Sequence, residues 1–205
     1  SFGSRHLRGR VSDVALGGRL RFHAGASYRG ATGDYDYYND NGTPLVAGDD
    51  AFVDRTNNGF DQVGGVARAR YDWSRTGVEL GIRSTWKQQG IPGVGSVQTT
   101  GASLGSLGQL LDGRVESRLA DATHVAATLF LLDERQHYRD LRGEVGIGQQ
   151  DNRYVTMSTG STALLRHDLG ARHRLSLGLD GRLDRHVITD ERAAGLVALD
   201  EALTL

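Results

Sequence analysis

The chain has 205 residues, 29 of them Gly and only 2 Pro, and it has no Cys. Disulfide stapling and cysteine-ligated metal are therefore excluded, while an oxidising compartment is not. A formal net charge of −1 argues against non-specific nucleic-acid binding, and no apolar run approaches the ~20 residues of a spanning helix.

A two-residue beat runs along most of the sequence. Residues 5–13 open it, with Leu7, Gly9 and Val11 out of phase with Arg8, Arg10 and Ser12. Leu16-Gly17-Gly18 predicts a tight turn into residues 19–30, where Leu20, Phe22, Ala24, Ala26 and Tyr28 alternate with Arg21, His23, Gly25, Ser27 and Arg29. A long loop is expected over 31–61. Residues 62–73 set Ala67, Ala69, Tyr71 and Trp73 against Val66, Arg68, Arg70 and Asp72, and Ser74-Arg75 is short enough only for a hairpin turn.

Residues 76–88 place Val78, Leu80, Ile82, Ser84 and Trp86 on one phase and Glu79, Gly81, Arg83, Thr85 and Lys87 on the other. A loop then runs to about 104. The fifth strand ends with Leu111, Gly113, Val115, Ser117 and Leu119 against Asp112, Arg114, Glu116 and Arg118, and Asp121 falls in a short turn. The remaining strands are expected over 124–136, 152–167 and 174–188, with a turn at Gly170-Ala171 and a ninth strand within 192–205. Phe130 and Leu132 break the phase of the sixth strand, and residues 160–165 have no clean phase.

Side chains on a strand point alternately to opposite faces, so each segment has one apolar and one charged face. Connections near 16, 74, 121 and 170 are short, and those starting near 31, 89, 137 and 189 are mostly long. Long strands with this alternation fit an all-β, antiparallel transmembrane β-barrel wall of roughly eight or nine strands. Pro44 and Pro92 both fall in long loops, where no ladder bond is lost. Tyr28, Tyr71, Trp73 and Trp86 suit interfacial girdles. A soluble antiparallel sandwich shows the same beat, but its strands usually run ~5–6 residues. The chain begins at Ser1 without Met and ends inside an alternating stretch, so it reads as a piece truncated at both ends.

Several phrases carry a resemblance. Tyr28-Arg29-Gly30-Ala31-Thr32-Gly33-Asp34, then Asn39-Asp40-Asn41-Gly42-Thr43-Pro44, Asp49-Asp50, Arg55-Thr56-Asn57-Asn58 and Gln89-Gly90-Ile91-Pro92-Gly93, resemble early barrel strands and loops of TonB-dependent outer-membrane receptors. Ser1-Phe2-Gly3-Ser4 is similar to the phrase that opens the barrel after the plug. The resemblance implies the N-terminal part of a larger barrel of about 22 strands, whose plug and remaining strands are absent here. It also implies localisation in the outer membrane, contact with its lipid, coupling to the TonB complex through the plug, and uptake of a small molecule or metal chelate such as a siderophore or cobalamin. A self-contained small barrel acting as an anchor or adhesin is the alternative.

Two constellations are candidate sites. Asp34, Tyr35, Asp36, Tyr37, Tyr38, Asp40 and Arg55 in the first long loop, with Gln89 and Pro92 in the second, are the expected ligand contacts. Asp34, Asp36, Asp40, Asp49 and Asp50 are also oxygen donors suited to Ca²⁺, although no closing Glu stands at the calcium-loop offset. Arg21, Arg68, Arg70, Arg83, Arg114, Arg118 and Arg182 share the charged phase and are expected to face the lumen. The 7 His residues form no metal-ligand spacing. No phrase resembles a nucleophile elbow or a nucleotide loop, so no catalytic residues are expected.

Overall fold

The alternation resolves into strands over nearly the whole chain. The computed structural model describes residues 3–193 and 197–204. Ser1 and Phe2 of the opening phrase, and residues 194–196 and 205 of the expected ninth strand, lie outside the described residues. The strands are β1 (Arg5–Ala15), β2 (Leu20–Ala31), β3 (Asp36–Asn39), β4 (Ala51–Asp54), β5 (Phe60–Trp73), β6 (Thr76–Gly90), β7 (Ser103–Ala120), β8 (Thr123–Asp140), β9 (Gln150–Leu169), β10 (His173–Asp190) and β11 (Val197–Thr204). Nine of them form one sheet in the order β1-β2-β5-β6-β7-β8-β9-β10-β11, and every neighbouring pair is antiparallel. β3 and β4 form a separate hairpin within the first long connection, where the sequence predicts only loop.

The register sorts the two phases onto two faces. One row across the sheet reads Val11, Ala24, Ala67, Ile82, Leu111, Leu131, Thr159 and Leu183. The row nearer the short turns joins Phe22, Ala69, Leu80, Gly113 and Leu129. These side chains have no layer packed over them: Leu80 is 60% exposed, Ile82 51% and Leu177 57%. Among the described residues Ala102 is the only buried apolar one. The chain exposes 13875 Å², whereas a compact soluble monomer of this length exposes about 9,400 Å². A sheet sandwich buries one face of each sheet; this sheet buries neither.

Phe130 and Leu132 stand on the charged face without any slip of register. Phe130 is paired with Gly160, and a Cβ on Gly160 would lie 2.4 Å from the ring, so the ring occupies the space above the glycine. Leu132 sits between Leu110 and Ser158. β9 runs straight through 160–165, with Ser161, Ala163 and Leu165 on the apolar face. The register irregularity falls at the end of β7, between Arg118 and Ala120.

Four connections at one end are tight, and those at the other end are long. Gly17 (φ 64°) and Gly18 (φ 88°) supply the left-handed backbone of the first turn. Long connections therefore gather at a single end of the sheet.

Candidate functional site: a laced loop cluster and an arginine-lined face

The first long connection leaves β2 through Gly33, whose φ is +73° and whose Cβ position lies 2.1 Å from the Asn58 carbonyl oxygen. Only glycine lets the outgoing and returning strands of this loop come so close. Beyond it the β3–β4 hairpin pairs Asp36 with Asp54, Tyr37 with Val53 and Tyr38 with Phe52. Tyr38 meets Phe52 edge-on at 5.5 Å, and its hydroxyl donates to Asp50. That hydrogen bond to a carboxylate holds the Tyr38 phenol above its ordinary pKa. Asp36, hydrogen-bonded to Asp54 and adding its own charge, pushes the Asp54 carboxyl above the usual range.

The hairpin tip is tied by Asx turns and side-chain hydrogen bonds. The Gly42 N–H donates to Asp40 Oδ1 at 3.0 Å, and the Thr43 hydroxyl donates to Asp49 Oδ2 at 2.8 Å. The Asn41 amide donates to the Asp49 carbonyl at 2.5 Å. Of the five acids expected as calcium donors, Asp36, Asp40, Asp49 and Asp50 have separate hydrogen-bond partners, and among the described residues no three carboxylates or imidazoles form a metal-holding group.

Arg55 lies just after the hairpin and is 6% exposed. Its guanidinium sits 5.0 Å above the Tyr37 ring and donates to the Gly95 carbonyl at 2.8 Å. The first loop is thereby fastened to the second, which holds Pro92. Gln89 lies in β6, between Phe60 and Leu104, rather than in the loop. The Asn57 amide donates to the Ile91 carbonyl (3.1 Å), Thr99 Oγ1 (3.1 Å) and the Ala102 carbonyl (2.6 Å). Thr99 and Ala102 are fully buried beneath it.

A third loop, 141–149, completes the cluster, and the sequence reading does not single it out. Glu144 accepts from the N–H groups of Thr100 (2.9 Å), Gly101 (2.8 Å) and Ala102 (3.3 Å) and from the Thr100 hydroxyl (2.9 Å). These donors favour the charged carboxylate and pull its pKa down to about 2. Asp140, fully buried, accepts from the Glu144 and Val145 N–H groups at 2.8 Å each.

The seven arginines of the charged phase all stand on one face of the sheet. Arg21, Arg70, Glu79 and Arg114 fall in one row, and Arg68, Asp112, Phe130 and Arg182 in the next. Most are paired: Arg21 with Asp72 (2.5 Å), Arg68 with Glu79 (2.8 Å) and Asp112 (3.0 Å), Arg114 with Glu116 (3.2 Å), and Arg182 with Asp184 (2.8 Å). Arg70 bridges Asp72 and Glu116.

No family model matches this chain, and comparison with curated proteins finds no match.

Proposed function

We propose that this chain is a stretch of outer-membrane β-barrel wall from a receptor of the TonB-dependent type. Its long loops capture a scarce nutrient, and its arginine-lined face lines the path inward. The observation that carries the reading is the uncovered apolar face, eight strands wide in the row through Ile82, with almost no buried apolar side chain among the described residues. Exposing that face to water is unfavourable by about 25 cal/mol per Å²; lipid tails remove this cost. The charged face, with its ladder of Arg–carboxylate pairs, matches the polar interior of such barrels.

The sheet order leaves β1 and β11 as edges among the described residues. An open edge in hydrocarbon carries unsatisfied N–H and C=O groups, each costing several kcal/mol. Further strands must therefore close the barrel, which favours a segment of a larger wall over a self-contained small one. In this reading Tyr35 and Tyr38 present aromatic surface to the ligand, on loops fastened to one another beforehand by the buried Arg55 and the Tyr37 ring beneath it. Preformed loops lose less entropy when a ligand binds.

The test is the complete reading frame together with an uptake assay. A plug-like domain preceding Ser1, and uptake of a ferric siderophore or cobalamin that stops when the proton gradient is collapsed, are the expected results. An unrelated fold before Ser1, or uptake indifferent to an uncoupler, overturns the proposal.

A further inference from the structure

On the charged face near the short turns lies an open hollow of about 720 Å³. Across it Arg118 of β7 is paired with His124 of β8, His124 with Arg166 of β9, and Arg166 with Ser176 of β10. Direct antiparallel partners share a face with Cβ atoms about 5 Å apart. Four hydrogen-bond donors therefore stand in one row, with no carboxylate among them. The two guanidiniums, Arg118 and Arg166, flank one imidazole, so two positive charges lie in one row with no negative charge between them.

The neighbouring acids are already committed. Glu116 serves Arg70 and Arg114, Asp121 serves Arg75 at 3.1 Å, and Asp168 serves Arg174 at 2.6 Å. Among the described residues Arg118, His124 and Arg166 have no ion-pair partner. The strands flanking β7, β8 and β9 are all in place. Asp168 also lies within electrostatic range of His124, but no carboxylate pairs with Arg118 or Arg166, and charge that compensates these two guanidiniums comes from the space in front of the sheet. Arg8 and Arg10 are unpaired on the same face, but they lie on the edge strand β1, where an additional strand would reach them; Arg83 of β6 is unpaired too, but it stands alone between Val66 and Leu110.

We propose that the Arg118–His124–Arg166 row is a binding site for a phosphate-class oxyanion, a compact dianion that two guanidiniums and an imidazole can grip together. Charge-assisted hydrogen bonds from arginine to phosphate are among the strongest available to a side chain, and planar guanidiniums fit tetrahedral oxygens in pairs. The Ser176 hydroxyl at the end of the row supplies a neutral donor. The site stands independently of the transport reading, because it needs only the charged face and its register.

The test is calorimetric titration of the full-length protein in detergent with inorganic phosphate and pyrophosphate at low salt. Saturable binding is expected, weakened at least about tenfold in the R118Q/R166Q double variant and by added salt. R19Q, in a turn at the same end but outside the row, is expected to bind like the parent. Heat-dependent gel migration checks that each variant is folded, and His124→Gln alone, which leaves both guanidiniums in place, is expected to weaken binding by a smaller factor. No saturable phosphate or pyrophosphate binding, equal losses in R19Q and R118Q/R166Q, or binding of a hexaglutamate peptide without binding of either phosphate overturns the proposal.

Discussion

Trp73 and Trp86 stand on the same face of the sheet at its two ends, one beside the short turns and the other toward the long loops. Trp73 pairs with Thr76, and Trp86 lies ten residues further along the same strand, Thr76 to Trp86. At about 3.4 Å per residue that is ~34 Å of strand, and a tilt of about 40° reduces it to ~26 Å of height, close to the ~25 Å apolar band of outer-membrane barrels. Tyr71 stacks near Trp73 at 5.6 Å, and Tyr28 shares the Trp86 row through Val63. These are the 2 tryptophans of the chain, so fluorescence reports both levels. In bilayers, lipids brominated near the headgroup should quench both strongly and lipids brominated at mid-chain weakly. A Leu80→Trp substitution, with Trp73 and Trp86 replaced by Phe, should reverse that order. Equal, weak quenching in every case would place this face away from lipid.

The turn between β5 and β6 rests on Ser74, whose φ is +51°. An L side chain in this region costs roughly 1–2 kcal/mol, part of which glycine returns through its greater unfolded-state freedom. Ser74→Gly is therefore expected to stabilise the fold by about 0.5–1 kcal/mol. The measurement is the urea midpoint of reversible unfolding in lipid vesicles, which should rise.

Phe130 and Gly160 account for the place where the sequence pattern broke. Read alone, an aromatic on the charged phase breaks the alternation with no visible cause. Only the pairing partner, thirty positions away, shows that the ring fills the space over a residue with no side chain. Periodicity reports one strand at a time; register is a property of two. Gly160→Ala forces the ring aside and is expected to cost about 1–3 kcal/mol by overpacking. Combining it with Phe130→Ala should cost less than the sum of the two single changes, as a double-mutant cycle of unfolding free energies would show.

The sheet was legible because most of its strands repeat their own period, and its short turns announced themselves through Gly17-Gly18, Ser74-Arg75 and Gly170. The loop cluster was legible only in part. Asp34–Asp54 and Arg55 stood out as an acidic, tyrosine-rich stretch, but the β3–β4 hairpin was hidden because four-residue strands are too short to show a period. Glu144 carried no signal at all. It matters through three N–H groups more than forty residues away, and backbone donors leave no mark in a sequence.

Two carboxyl groups in the loops respond to pH with opposite signs. Glu144 is held at about 2 against an ordinary 4.5. Its tether between the second and third loops is complete above pH 4.5 and is lost as pH falls through about 2. Asp54 is shifted upward from 3.8 by Asp36. The proton it shares favours the closed hairpin at low pH, and that contribution is lost as pH rises above 3.8 through the raised value. Hydrogen exchange should therefore show residues 100–102 losing protection toward acid, while the Asp36–Asp54 end of the hairpin gains it. Glu144→Gln should abolish the first trend and leave the second.

Asn57 is the knot where the first and second loops meet. Its two amide protons are shared among the Ile91 and Ala102 carbonyls and Thr99 Oγ1. Thr99 donates in turn to the Ile91 carbonyl at 2.5 Å, inside a fully buried pocket base. Asn57→Ala removes one donor from each of those acceptors, but the Ile91 carbonyl keeps Thr99 Oγ1 and the Ala102 carbonyl keeps the Ile91 N–H, so the expected cost is about 1–2 kcal/mol in all rather than a full penalty per acceptor. Asn57 also has φ +56°, a conformation Asn tolerates better than Ala. Proteolysis within residues 91–102 should accelerate markedly in Asn57→Ala, while the nine-stranded sheet keeps its unfolding midpoint. Ligand binding should weaken through faster dissociation, because the loops must then be ordered by the ligand itself. Unchanged proteolysis would mean that Arg55 and Gln98 hold the two loops together without Asn57.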